Sequence, residues 1–133
     1  GTGGTITGTG EALRASLPDI QIYVVEPKGS PVLSGGQPGP HKLVGTSPGF
    51  VPKILNTSVY DEIIQVADED AIQTTRDLAR LEGILVGPSA GAAVWTAIQK
   101  AKLLGPGKRV LCIAPDTGER YLSMAGVFDD TQL

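Results

Sequence analysis

The chain opens with Gly1-Thr2-Gly3-Gly4-Thr5-Ile6-Thr7-Gly8, a glycine- and threonine-rich run from which the architecture can be worked out. Glycine loops that bind phosphate normally follow a strand and open a helix. The pattern from Ile6 to Leu17 predicts that helix, whereas no strand stands ahead of the loop. We therefore expect the chain to be the C-terminal portion of a longer protein.

Three kinds of phosphate site could use such a loop. A nucleoside triphosphate loop needs a lysine where Thr9 stands, so that interpretation fails. A dinucleotide fingerprint would place its third glycine at Ile6, although Glu26 follows the next predicted strand as a ribose-binding acid would. The third kind is a single phosphomonoester held by backbone N–H groups and threonine hydroxyls, and a second site is needed to decide for it.

Beyond the loop, short apolar runs alternate with helical patterns. Apolar, β-branched runs predict buried strands at Ile20–Val25, Tyr60–Val66, Ile84–Val86 and Arg109–Ala114. Acidic Asp68-Glu69-Asp70 begins a predicted helix that Gly83 ends, and Gly87-Pro88-Ser89 opens another that Gly105-Pro106 stops. Strands that are apolar on both faces indicate an α/β fold, a mostly parallel sheet flanked by helices. We expect residues 1–133 to form a single partial domain.

Composition excludes several classes of function. The 133 residues are 41% hydrophobic with a net charge of -3, and Lys108-Arg109 is the largest basic cluster, so we expect no nucleic-acid partner. No apolar run approaches the roughly 20 residues that span a bilayer, so we expect no membrane role. His41 has no second His or Cys at metal-ligand spacing, which predicts no metal site. Cys112 lies in an apolar run, so we expect a buried, reduced cysteine in a cytoplasmic protein.

A second glycine-rich motif, Gly87-Pro88-Ser89-Ala90-Gly91-Ala92-Ala93, stands at the start of the second predicted helix. Its small residues let a ligand approach the helix closely, and Ser89 offers a hydroxyl there. A serine N-cap is the ordinary explanation of such a residue. The motif gains significance only together with the first one.

In their order, these motifs resemble the cysteine synthase (O-acetylserine sulfhydrylase) and cystathionine β-synthase family of fold type II pyridoxal-phosphate enzymes. The resemblance covers nearly the whole chain. Beyond the two glycine motifs it rests on Val25-Glu26-Pro27, Gly39-Pro40-His41-Lys42-Leu43, Gly49-Phe50-Val51-Pro52, Glu82-Gly83-Ile84-Leu85-Val86-Gly87 and Gly118-Glu119-Arg120-Tyr121-Leu122-Ser123.

The resemblance implies a cofactor and the residues that bind it. The cofactor is pyridoxal 5'-phosphate; Gly1, Thr2, Gly3, Gly4 and Thr5 would bind its phosphate, and Ser89 would face its pyridine nitrogen. A neutral hydroxyl leaves that nitrogen largely unprotonated, which suits β-elimination and β-replacement better than a carboxylate would. In this family the Schiff-base lysine lies far upstream of the glycine loop. We therefore expect no catalytic residue in this chain and no activity from the chain alone.

The resemblance also implies a function for the full-length protein. It would be a cysteine synthase that replaces the acetate of O-acetylserine by sulfide, with a homodimer and serine acetyltransferase as expected partners. Two departures, Thr46-Ser47-Pro48 at the expected active-site rim and Asp116 near the sheet end, leave sulfide and homocysteine as alternative second substrates. Pro88 and Ala90, around Ser89, are closer to cystathionine β-synthases. The alternatives are therefore condensation of serine with homocysteine, a non-catalytic homologue, or a nicotinamide-binding domain.

Overall fold

The computed structural model describes residues 1–129, which divide into two compact units. The first unit contains residues 1–41 and 45–65, and the second contains residues 42–44 and 66–129. In chain order the elements are α1 (Gly4–Ser16), β1 (Tyr23–Pro27), a 3₁₀ turn (Val32–Ser34), β2 (Glu62–Val66), α2 (Asp68–Glu82), α3 (Pro88–Leu104) and a second 3₁₀ turn (Gly118–Tyr121). A single domain over the whole chain stays a prediction.

In the first unit, β1 and β2 pair in a two-stranded sheet. The backbone N–H of Asp61 donates to the Ile22 carbonyl at 2.7 Å, and the Ile22 N–H donates to Asp61 Oδ2 at 2.7 Å. Both strands begin directly after this pair, so they run in parallel as the apolar patterns predict. Arg14 of α1 donates to Asp61 Oδ2 and to the Val59 carbonyl, each at 2.9 Å, and so joins the helix to the start of β2.

In the second unit, α2 and α3 pack against each other. Both helices begin and end where the sequence predicts. Each ends at a glycine with positive φ, 69° at Gly83 and 77° at Gly105, which is the usual way for a glycine to end a helix. The two helices approach closely at Gly91, where a Cβ atom would overlap Thr75 and the Ala71 carbonyl. Small residues therefore determine how close the pair can come.

Two of the predicted buried strands are not formed. Residues Arg109–Ala114 have no regular structure, and the side chain of Leu111 is 80% exposed. Ile84–Val86 is reduced to one antiparallel bridge between Val86 and Thr117. An apolar run becomes a buried strand only where neighbouring strands satisfy its backbone and helices cover its faces. The described residues supply neither for residues 109–114, and for residues 84–86 they supply only the bridge at Val86.

The prediction that Cys112 is buried in the core is wrong for the same reason, because this cysteine lies in the uncovered segment and is exposed. Although this side chain is exposed, nearby protein atoms displace part of the water around the thiol, and this desolvation raises its pKa. Within residues 1–129, no helix combines the length and the apolar character needed to cross a bilayer.

Candidate functional site

The glycine loop forms the N-terminal end of α1. Gly3 is the residue before the helix and has a left-handed φ of 84°. The Thr2 hydroxyl accepts a hydrogen bond from the Gly4 N–H at 3.2 Å, and the Thr7 N–H donates to the Gly3 carbonyl at 3.0 Å. Gly1, Thr2, Gly4 and Thr5 are exposed. The N–H groups of the first turn have no carbonyl partner within the helix, so this end can bind an anion.

Close packing holds the loop and its helix in place. A Cβ at Gly3 would come within 2.7 Å of Leu55 Cβ, and a Cβ at Gly10 would overlap Val59. The Thr7 hydroxyl accepts a hydrogen bond from the Asn56 N–H at 2.9 Å. Residues 55–59 thus fix the position of α1, and Thr7 is a supporting residue that the motif by itself does not reveal.

Ser89 lies in the first turn of α3, in the second unit. Gly87 precedes the helix with extended backbone, and Pro88 occupies a first-turn position, where its missing N–H costs nothing. The side chain of Ser89 is half-buried, and within residues 1–129 its hydroxyl makes no hydrogen bond. It does not cap α3, so the ordinary explanation of a serine before a helix does not apply.

Asp116 and Tyr121 lie close to Gly87, a contact that the motifs in the sequence do not predict. The buried phenol of Tyr121 donates a hydrogen bond to Asp116 Oδ2, and Asp116 Oδ1 is buried with no partner in the described part of the chain. Burial, and then the hydrogen bond to Asp116, raise the pKa of Tyr121, so the phenol stays a donor at neutral pH. The sequence drew attention to Asp116 and to the motif that contains Tyr121, but nothing in their spacing predicts the hydrogen bond between them.

Glu26, the candidate ribose-binding acid, is only 3% exposed. Its carboxylate accepts hydrogen bonds from the N–H groups of Leu33 and Ser34, at 2.8 and 3.1 Å, and from the Ser34 hydroxyl. Both carboxylate oxygens of Glu26 therefore accept hydrogen bonds from the short turn at Val32–Ser34. This arrangement disfavours the nicotinamide-binding alternative, because a ribose would have to displace these donors.

The segment expected at the active-site rim contains the one non-glycine residue with positive φ among those described, Ser47 at 42°. The Ser47 hydroxyl donates to the Ser30 carbonyl at 3.1 Å, and the Ser47 carbonyl lies 3.4 Å from His41 Nε2. His41 therefore has the local hydrogen-bonding role that is typical of a histidine in such a loop. A strained residue held by its neighbours is common where ligands bind.

No group of three or more His, Cys, Asp or Glu residues that could hold a metal ion occurs within residues 1–129. The predicted phosphate-binding residues are contiguous in the first unit, whereas Ser89 lies in the second. That they bind one ligand together stays a prediction.

Comparison with known proteins identifies close relatives. Over 123 residues the chain is 71% identical to a probable cysteine synthase of Bacillus subtilis. The aligned residues make up 92% of this chain and 40% of that protein. The crystal structure of the Entamoeba histolytica cysteine synthase matches with a TM-score of 0.89 and 39% identity, over 93% of this chain and 37% of that one. The O-acetylserine-dependent cystathionine β-synthase of Helicobacter pylori matches with a TM-score of 0.89 and 41% identity, over 96% and 41%.

The chain thus spans about 40% of the length of these relatives. Residues 1–116 match the family described as pyridoxal-phosphate dependent enzymes, and this match includes both glycine motifs. The sequence motifs predict the family, the α/β fold class and the cofactor, and all three predictions are therefore confirmed at the level of the family. This chain belongs to the family of pyridoxal-phosphate dependent enzymes.

Proposed function

We propose that the full-length protein is a cysteine synthase, which replaces the acetate of O-acetylserine by sulfide and forms L-cysteine. The observation that carries this proposal is the 71% identity to a probable cysteine synthase over 123 residues. The Staphylococcus aureus protein named cysteine synthase, 55% identical over the same length, supports it as well. Pyridoxal phosphate, when bound, withdraws electrons from the amino-acid substrate so that bonds at its α and β carbons can break.

The residues of the glycine loop fit the phosphate of that cofactor. Their backbone is accessible at a helix N-terminus, where N–H groups and the helix dipole favour a dianion. Because Gly3 has no side chain, the loop can pack directly against Leu55. We assign phosphate binding to Gly1, Thr2, Gly3, Gly4 and Thr5, in which the backbone supplies N–H donors and the threonines supply hydroxyls.

Ser89 fits the pyridine nitrogen. Its hydroxyl has no partner within residues 1–129 and stands in the first turn of α3. A hydroxyl can donate to an unprotonated nitrogen, whereas a carboxylate would hold the proton on that nitrogen. Ser89 would thus orient the ring and leave it a moderate electron acceptor, which favours departure of a β-substituent.

The assay that tests this function compares two reactions of the full-length protein, O-acetylserine with sulfide and serine with homocysteine. We expect L-cysteine from the first reaction and little product from the second. Thr2→Ala should weaken cofactor binding, whereas Thr9→Ala, an exposed helical threonine, should leave it unchanged. Failure to form cysteine with cofactor bound would contradict the proposal.

Cystathionine β-synthase activity is the second candidate, because the Helicobacter pylori enzyme with that name shares the fold at 41% identity. The same two-reaction assay separates the candidates.

We further propose a cytoplasmic homodimer that binds serine acetyltransferase, which sedimentation of the full-length protein with and without that enzyme would test.

A further inference from the structure

The segment of residues 116–121 is joined to the residues that lead into α3 at several points. Thr117 forms the antiparallel bridge with Val86, and the Gly118 N–H donates to the Leu85 carbonyl at 3.0 Å. A Cβ at Gly118 would come within 2.8 Å of the Val86 carbonyl oxygen, so the two backbones touch directly. The start of α3 is therefore held from one side by a short segment that is distant in sequence.

Asp116 and Tyr121 provide the side-chain part of this support. A Cβ at Gly87 would lie 2.7 Å from each carboxylate oxygen of Asp116 and would also overlap the Tyr121 ring. Tyr121 is 7% exposed, and its phenol donates to Asp116 Oδ2. The carboxylate is thereby held against Gly87 by a buried donor, and only a glycine leaves room for it.

Gly87, the residue that Asp116 and Tyr121 contact, stands two positions before Ser89 in the sequence. Gly87 is the last residue before α3, and Ser89 belongs to its first turn, so a shift of Gly87 moves the Ser89 hydroxyl directly. Asp116 Oδ1 is buried without a partner among the described residues, which costs free energy, and an unpaired buried oxygen of this kind points to a function for the carboxylate. The negative charge also lies near the positive end of the α3 dipole, which stabilises it there.

We propose that Asp116, held by Tyr121, is a positioning residue that sets the place of the Ser89 hydroxyl against the pyridine ring of the cofactor. The inference rests on the proposed role of Ser89. Asp116 acts through the Gly87 backbone and touches neither substrate nor cofactor in this scheme. Loss of the carboxylate lets the first turn of α3 relax, and the hydroxyl then leaves the position at which it meets the ring nitrogen.

The test uses the full-length holoenzyme and reads the absorption spectrum and the dissociation constant of bound pyridoxal phosphate. Asp116→Ala should shift the cofactor band in the same direction as Ser89→Ala and weaken cofactor binding about tenfold, the loss expected for one hydrogen bond. Asp116→Asn retains an acceptor for Tyr121, so its cofactor band and its cofactor affinity should stay close to those of the unsubstituted enzyme. Glu119→Gln, an exposed acid of the same turn, is the matched control and should change neither.

A double-mutant cycle shows whether Asp116 acts through Ser89. In a Ser89→Ala background, Asp116→Ala should have no further effect on the cofactor spectrum, because the hydroxyl it positions is gone. Additive effects would overturn the proposal, as would an unchanged spectrum in Asp116→Ala. If Ser89→Ala itself leaves spectrum and affinity unchanged, the assigned role of Ser89 fails instead. Tyr121→Phe, which keeps the ring, gives a second test should Asp116→Ala not fold, and it should reproduce the spectral shift.

Discussion

Gly3 combines a left-handed backbone with a close contact. Its φ of 84° costs a residue with a side chain about 1–2 kcal/mol, and a Cβ would in addition approach Leu55 to 2.7 Å. We expect Gly3→Ala to lower the free energy of unfolding by more than Gly35→Ala, because Gly35 has a similar φ of 87° in open space. Urea unfolding of both variants measures the difference. Equal losses would show that the Leu55 contact is unimportant.

Asp61 links the start of β2 to Arg14 through an exposed ion pair of 2.9 Å. Its pKa is lowered, first by the Ile22 N–H bond and then by the hydrogen bond to Arg14. A lowered pKa in the folded state means that the stabilisation is present above the unfolded pKa, near 4, and is lost as the pH falls through the lower folded value.

We therefore expect Asp61→Asn to cost about 1 kcal/mol or less at pH 7, since solvent screens the pair. The difference from the unsubstituted protein should shrink as the pH falls below about 4. Thermal unfolding between pH 2 and pH 7 measures this, with the exposed Asp19→Asn as the control. A pH-independent difference would contradict the assignment.

At the scale of the elements, the close approach of α2 and α3 depends on Gly91. A Cβ there would overlap the Thr75 hydroxyl and the Ala71 carbonyl and would lie 3.1 Å from the Thr75 nitrogen. Gly91→Ala should lower the free energy of unfolding by about 1–3 kcal/mol, because the helices must separate. Gly8→Ala, in an open position of α1, should raise it by up to about 1 kcal/mol. Paired urea titrations check both, and a neutral Gly91→Ala would refute the packing argument.

For the whole molecule, burial decides which apolar residues stabilise the chain. Ile72 is 1% exposed although it stands in a helix rich in charged residues, whereas Leu111 is 80% exposed although it stands in an apolar stretch. In the 133-residue chain, Ile72→Ala should cost about 2–5 kcal/mol. Leu111→Ser should stay within about 0.5 kcal/mol of the unsubstituted chain. Denaturant unfolding of the two variants compares them, and a large loss for Leu111→Ser would show that residues 109–114 are covered after all.

The sequence alone was enough to predict the helices, β1 and β2, the glycine loop and the family. These features depend on local signals: periodic apolar residues, an acidic first turn before Ala71, glycines that end α2 and α3, and an ordered set of motifs. The tertiary structure alone decided that residues 109–114 are uncovered, that Gly91 is a contact between helices, and that Asp116 and Tyr121 support Gly87. The physical reason is that burial and close approach are properties of residues far apart in the chain. A single stretch of sequence records which side chains need cover, and only the folded chain determines which of them receive it.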